Sequence, residues 1–437
     1  MGGRSDAAVA SVAEARRCRP GWRGHSRGMS AHRLVPESLA LLTEGYAWLP
    51  DLMRAENDTA LNLRVLGHPA LAVRGPDAVG FFYDEEHVRR HGALPGPVLS
   101  TLFGHGAVHT LDGDAHRQRK AFFLPLLETD AVTGSAGHIA DAWDEAVPRW
   151  RAQPEVVLFD AVGRVVARGV CRWAGVPLAE DEEEPLARDL LAMVDGFATA
   201  GPRHWRARRA RTRQEQRFAA LITEVRSGTV RPPADCVLDR VCRYRDASGA
   251  ELTPRIAAVE LLNVIRPATA LSWFVAFAAH ALHRWPEHKE RLRSGEEGYA
   301  TAFAHEVRRF YPFAPFLGGR AVTDLTWQGR HVPAGGLVLL DVHGQNHDER
   351  LFKDPYAFRP ERFLDQPPGR DELIPQGGAD PRNGHRCPGE AMAVGILETL
   401  ARRLAALDYQ VPPQDLSIPL NRIPTRPRSG MTIRTLA

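Results

Sequence analysis

Cysteine is scarce in this 437-residue chain: there are five, an odd number, with no CxxC pair among them. That argues against a disulfide framework and against a zinc site, and suits a reducing compartment. Long apolar runs are missing as well. None reaches the roughly 20 residues of a membrane span. The longest, Pro267 to Leu282, begins beside Arg266 and reads as a buried helix. Charge is nearly balanced, and a formal net charge of +3 is too small to argue for nucleic acid. The basic residues are almost all Arg, with Lys rare; Arg suits carboxylate partners. There is no internal repeat, no phosphate-cradling glycine motif and no HExxH. What is present, 44% hydrophobic and 25% charged residues, is ordinary for a soluble globular protein. A cytoplasmic location is expected.

Residues 1–28 are rich in Ala, Arg and Gly and lack the apolar core of a signal peptide. They are expected to be a disordered extension. Met29 opens a cleaner sequence, with a capped helix start in Val35-Pro-Glu-Ser. Leu61 to Val73 and Val79 to Phe82 are short apolar stretches that suit a small sheet. From Asp112 to Arg293 the pattern is mostly helical. An acidic run, Glu180 to Glu184, precedes a basic one, Arg203 to Arg217. The basic run reads as a solvated helix face rather than a DNA contact, because acidic and apolar residues flank it. Thr253-Pro254 is an N-cap followed by a first helical position. The helix it opens runs to about Arg284, and Pro267 inside it predicts a kink. Thr301 to Tyr311 is another helix, stopped by Pro312, and Thr323 to Val342 holds short strands.

The densest signal lies near the C-terminal end. A glycine-rich stretch runs through Gly384-His-Arg-Cys387-Pro-Gly-Glu390 into a helix from Gly389 to Leu407, with Met392, Ile396, Leu397, Leu400 and Leu404 on one face. Pro388 suits the first helical position. Cys387 then sits at a helix N-terminus, where the dipole favours a thiolate. Glycines let a large flat ligand approach the backbone. Upstream, Glu306-Val-Arg-Arg309 places a carboxylate and a guanidinium one helical turn apart. About fifty residues on, Phe358-Arg-Pro-Glu-Arg362-Phe363 offers a second Arg for a buried triad. ExxR alone is common; ExxR, PERF and a glycine-rich Cys loop in that order are specific.

With these motifs the chain resembles the cytochrome P-450 superfamily from Met29 onward. The resemblance implies a mainly α fold with small β-sheets. That fold is a triangular helical prism with haem between a kinked distal helix and a proximal Cys loop, and residues 29–437 would be one catalytic domain. Haem b would take Cys387 as its axial thiolate, with Glu306, Arg309 and Arg362 as the structural triad behind it.

Most members carry an acid followed by a threonine on the distal helix. Here the segment is Asn263-Val-Ile-Arg266-Pro267-Ala-Thr-Ala270. An Arg on an apolar helix is costly unless paired, and a substrate carboxylate fits it bidentately. The competing reading is a structural Arg bonded to protein. The Arg-Pro pair, with the loop GGADPRNGHRCPGE, resembles the fatty-acid peroxygenase branch. There Arg386 directly precedes Cys387, and His385 takes the usual Arg position. The resemblance gives Arg266, Pro267 and His109 catalytic places, and puts His116, Lys120, Arg90 and Arg386 at the haem. Phe103 would lie by the bound carboxylate, with Ala270, Phe313, Phe316, Val194 and Phe197 along the substrate. For the last four, plain core packing is the rival. A His at position 109 hints at alkene formation.

The function implied is hydroxylation of long-chain fatty acids at the α or β carbon by hydrogen peroxide, with decarboxylation to terminal alkenes as a second outcome. Fatty acid and peroxide would be the partners, with no obligatory redox protein. The alternatives are a conventional monooxygenase fed from NAD(P)H through redox partners, and a non-catalytic haem or fatty-acid binder.

Overall fold

The computed structural model describes residues 37–436 apart from Leu66, Leu94, Glu128, Ala198, Ala247 and Asn383. The extension expected at residues 1–28 lies outside them. The helical periodicity seen after Asp112 becomes a run of helices. These are α1 (Gly113–Phe123), α2 (Thr129–Arg151), α3 (Leu158–Ala174), α4 (Glu180–Asp195) and α5 (Pro202–Arg226). Then come α6 (Pro254–Thr269), α7 (Leu271–Arg284), α8 (Tyr299–Phe310) and α9 (Glu390–Ala406). Their apolar stripes share one large core, in which Trp143, Trp273, Phe218, Phe277 and Phe303 are fully buried.

The helix starts follow local chemistry. The Thr253 hydroxyl accepts the Ile256 N–H at 3.3 Å, and Pro254 opens α6. Four acidic residues fill the first turn of α4, where the helix dipole favours them. Pro267 has no N–H to return to the Asn263 carbonyl. The helix carries on through Thr269 and breaks at Ala270, where α7 begins. By length and composition Pro254–Arg284 could cross a membrane, but 89% of its most apolar window is buried inside the protein.

A five-stranded sheet packs beside the helices. It contains β1 (Ala60–Val65), β2 (His68–Val73), β3 (Val88–Arg89), β4 (Phe316–Ala321) and β5 (Leu337–Asp341), in spatial order β1-β2-β5-β4-β3. Only the β2–β5 pair is parallel among these. The Val79–Phe82 stretch, expected as strand, lies instead in a helix, Pro76–Tyr83. Gly75 and Pro76 supply its start, and Val79 and Phe82, one turn apart, are both buried under the sheet.

Candidate functional site

Cys387 hangs from a loop whose ends are tied down. Its N–H donates to the Gln376 carbonyl at 3.2 Å. Gln376 Oε1 in turn accepts Arg308 Nε at 3.0 Å and Nη2 at 2.7 Å, and Arg308 also pairs with Glu390. Glu390 further accepts Arg386 Nε at 2.6 Å. Arg308 on α8 thus braces both sides of the Cys loop. The helix after the loop begins at Glu390, not at Pro388. Cys387 is therefore three residues short of it, and the Gly389 N–H is what favours its thiolate. Burial outweighs that help and raises the thiol pKa. A metal on the sulfur would reverse this, since a coordinated thiol loses its proton outright.

Behind the loop the expected triad is assembled. Both Glu306 oxygens accept from Arg309, Oε2 from Nε and Oε1 from Nη2, each at 2.8 Å. Arg362 Nε reaches Glu306 Oε2 at 3.1 Å, and the Arg359 N–H reaches Oε1 at 2.8 Å. Arg309 Nη1 donates onward to the Asn346 and Pro355 carbonyls. Glu306 and Arg309 are fully buried.

On the opposite side, α6 presents Arg266, which is 5% exposed. Its Nε has no hydrogen-bond partner, and no carboxylate pairs with it among the described residues. Burial and the Arg211 cation lower its pKa to about 9, so the guanidinium remains charged at neutral pH; the nearby Cys387 acts the other way. The guanidinium carbon lies 5.9 Å from the centre of the Phe103 ring. Phe103 and His109 rings meet at 4.4 Å. His109 Nδ1 is buried without a partner. Burial, reinforced by Arg266, pushes its pKa down to about 3 and keeps the ring neutral. His105, two residues beyond Phe103, is exposed.

Pro267 is exposed although its helix neighbours Arg266, Ala268 and Thr269 are buried, and Ala270 and Cys387 are half-exposed. Protein surrounds the Cys387 sulfur deeply nonetheless. Arg266 on α6 lies within charge range of Cys387, so α6 and the Cys loop border one site.

A third cluster lies at one edge of this site. The His116 and His385 rings stack at 3.9 Å. With Glu85 they bring possible ligand atoms within 4.8 Å of one another. His116 Nδ1 is buried without a hydrogen-bond partner, while His385 Nε2 faces Asp112 Oδ1 at 3.5 Å and Glu85 Oε1 at 3.9 Å. Burial holds His116 neutral, with its pKa near 3. An orphaned buried donor such as His116 Nδ1 asks for an acceptor. A flat ligand between α6 and the Cys loop, with a carboxylate arm at His116 and a metal over Cys387, would satisfy the His116 donor and the buried thiol; haem b has that shape and charge.

The other expected site residues are placed unevenly. Lys120 Nζ is buried and donates to the Gly384 and Arg386 carbonyls, tying α1 to the Cys loop. Arg90 lies over the Phe82 ring at 4.1 Å and donates to the Gly318 carbonyl. Arg386, expected at the haem, donates from Nε to Glu390 and from Nη1 to the Arg370 carbonyl, each at 2.6 Å. Phe313 packs on Phe274 at 5.0 Å. Phe316 is not brought to the site. It lies against Trp48 at 6.0 Å on the far face of β4, because neighbouring strand residues point to opposite faces. Val194 sits in the helical core, and Phe197 is half-buried just past α4. Sequence reasoning missed Arg308, Gln376, Arg211 and Glu260. Glu390 stood inside the quoted motif without a role.

The profile of the family "Cytochrome P450" matches residues 298–417, which span α8, the PERF segment and the Cys loop. A putative cytochrome P450 137 of Mycobacterium tuberculosis is 30% identical over 80% of this chain and 78% of its own length. The mitochondrial cytochrome P450 4e5 of Drosophila mettleri is 31% identical over 160 residues, and there the chain matches only 30% of the relative's length. Among solved structures, cytochrome P450SP alpha (CYP152B1) in complex with (R)-ibuprophen shares 38% identity at a TM-score of 0.89, covering 92% of this chain and 98% of that one. Cytochrome P450EX alpha (CYP152N1) with myristic acid shares 35% identity at a TM-score of 0.87, and a variant of cytochrome P450 OleT with arachidonic acid shares 35% at 0.89; each covers 92% of this chain and 97% of that one. On this likeness over nearly its full described length, the chain belongs to the cytochrome P450 family, beside P450SP alpha, P450EX alpha and OleT.

Proposed function

We propose that the protein is a haem-thiolate peroxygenase whose residues 29–437 form one catalytic domain. It hydroxylates long-chain fatty acids at the α or β carbon with hydrogen peroxide, and converts part of them to terminal alkenes. The observation that carries this is Arg266: a charged guanidinium, 5% exposed, unpaired on an apolar helix and facing Arg211 rather than an acid. Such a group needs an anion. A fatty acid supplies one, gripped by two parallel N–H donors.

Cys387 would hold the iron of haem b, while His116 and Arg90 would hold its carboxylate arms. The bound haem supplies the oxidising chemistry. The chain's own task is placement. Arg266 fixes the substrate carboxylate, and with it the α and β carbons, beside Pro267. By the family resemblance Arg266 and Pro267 occupy the place of the acid–alcohol pair, so neither the usual acid nor the usual alcohol stands there. The substrate carboxylate, oriented by Arg266, is then the acid–base group nearest the peroxide. Phe103 and neutral His109 wall the carboxylate off from water. The hydroxylation balances as fatty acid plus peroxide to hydroxy acid plus water. The decarboxylation balances as fatty acid plus peroxide to alkene, carbon dioxide and two waters.

The test is to incubate the haem-loaded protein with a long-chain fatty acid and hydrogen peroxide, without any reductase, and to identify products by mass spectrometry. Hydroxy acids or a terminal alkene are expected. Arg266→Ala should lower fatty-acid turnover by about a hundredfold or more, as expected when a buried charged grip is lost. Turnover that appears only with NAD(P)H and a redox partner would overturn the proposal in favour of a conventional monooxygenase.

A further inference from the structure

Glu260 lies on α6 two turns before Arg266. It is 1% exposed and belongs to none of the motifs above. Its Oε1 accepts the Val108 N–H at 3.0 Å and Arg119 Nη1 at 2.8 Å. Asn263, one turn on, donates from Nδ2 to Glu260 Oε2 at 3.4 Å and to the Phe103 carbonyl at 3.0 Å. The same carbonyl accepts Arg211 Nη2 at 3.0 Å, from α5. The loop from Phe103 to Val108 is therefore bolted at both ends to α6, by Glu260 and Asn263, with Arg266 next at the same three-residue spacing.

Between the bolts the loop comes very close to the helix. Gly104 and Gly106 have φ of +84° and +81°. A Cβ on Gly104 would overlap the Arg211 guanidinium, and one on Gly106 would come within 2.6 Å of Ile256 Cδ1. The residue directly after the Glu260 bond is His109, whose ring rests on Phe103 beside Arg266. The Val108 amide thus sets where the His109 ring lies.

We infer that Glu260 is a positioning residue: it fixes His109 and Phe103 over the carboxylate held by Arg266, and so sets which carbon of the substrate reacts and how often decarboxylation follows. This rests on the function proposed above. Burial raises the Glu260 pKa, and the guanidinium of Arg119 from α1, paired with it at 2.8 Å, opposes that shift in part. Arg119 is a second-hand contributor to the same geometry, since it touches Glu260 and not the loop.

Three variants of the haem-loaded protein test this: Glu260→Ala, Glu260→Gln and Val108→Pro. The first removes the acceptor. The second keeps a carbonyl for the Val108 N–H. The third removes that N–H and leaves the Glu260–Arg119 pair intact; Ala107 is already extended, with ψ of 154°, as a residue before proline must be. Each is read by amide hydrogen exchange over residues 104–110, by fatty-acid titration of the haem absorption spectrum, and by product distribution with peroxide.

Glu260→Ala should speed exchange in this loop by roughly tenfold or more, the scale of one lost hydrogen bond to a charged group. It should change the product ratio by about threefold or more, since small displacements of reacting groups have large effects. Fatty-acid affinity should fall by less than about threefold, because Arg266 keeps the grip. Val108→Pro should reproduce the product shift without lowering haem content, whereas Glu260→Gln should stay close to wild type. An unchanged product ratio in Val108→Pro, or a Glu260→Gln variant as altered as Glu260→Ala, would overturn the inference. A wild-type protein inert with peroxide alone would overturn the function proposed instead. Loop exchange and the product ratio with whichever oxidant does support turnover would then decide the role of Glu260.

Discussion

At the scale of single residues, the site depends on charges that protein has taken out of water and then matched unequally. Glu306 is fully matched: four donors converge on its two oxygens. Glu306→Ala leaves Arg309 buried with its charge uncompensated, and the expected cost is about 3–5 kcal/mol. Thermal unfolding of the haem-loaded protein should show the drop. Arg362→Ala should cost less, because its side chain is 10% exposed and Glu306 keeps Arg309 and the Arg359 N–H. Equal losses in the two variants would show that Glu306 is not the centre of the network. Arg266 is the reverse case, a buried cation left unmatched, and the contrast between the two arginines separates scaffold from binding site. The triad was legible because Glu306 and Arg309 share a helix face and Arg362 sits in a recognisable segment. The brace from Arg308 was not. Its partners Gln376 and Glu390 lie 68 and 82 residues away, and no local pattern says which way an Arg next to Arg309 points.

At the scale of elements, periodicity located the long helices well. The face of α9 predicted from Met392, Ile396, Leu397, Leu400 and Leu404 is the buried one. Short apolar stretches were harder. Three apolar or aromatic positions from Val79 to Phe82, with Gly80 among them, fit a strand or a helix equally, and only the Gly75-Pro76 start separates them. Phe316 illustrates another limit: its family position suggested the substrate channel, but strand alternation turns it to the other face of β4. The distal loop carries its signal in glycine. Gly104 combines a positive φ with contact against Arg211 and Val259, so any side chain there must push the loop off α6. Gly104→Ala should weaken fatty-acid binding by about tenfold, an effect of the order of 1.4 kcal/mol. Titration of the haem spectrum with a long-chain fatty acid measures it. Gly106→Ala should have the smaller effect, because its neighbour is the flexible end of Ile256. Equal binding by wild type and Gly104→Ala would mean that the loop does not shape the carboxylate site.

At the scale of the whole molecule, neutral histidines lie where the helical core meets the sheet and the Cys loop. His280 on α7, His305 on α8 and His343 just after β5 have their pKa values lowered by burial to about 4, 4 and 3. His280 Nδ1 meets the Tyr311 hydroxyl at 2.8 Å, and His305 Nδ1 meets Arg308 Nη1 at 3.0 Å. In the unfolded chain each titrates near 6.5. Between about pH 6.5 and 4 the unfolded state therefore binds more protons than the folded state, and stability falls as pH falls. Each group contributes up to about 1.4 kcal/mol per pH unit in that window. Asp341 opposes them. Burial raises its pKa to about 6, so below that pH the folded form takes up a proton first and gains stability. From pH 6.5 to 6 the histidines act alone, and below pH 6 one of their three contributions is offset. Denaturant midpoints of the haem-loaded protein should be level above pH 7 and decline below pH 6.5. Replacing His280, His305 and His343 together by Gln should make that decline shallower, with His109 and His116 accounting for part of what remains. If the triple variant kept the wild-type slope between pH 6.5 and 5, acid lability would originate outside this seam, and the neutral histidines buried there would not govern it.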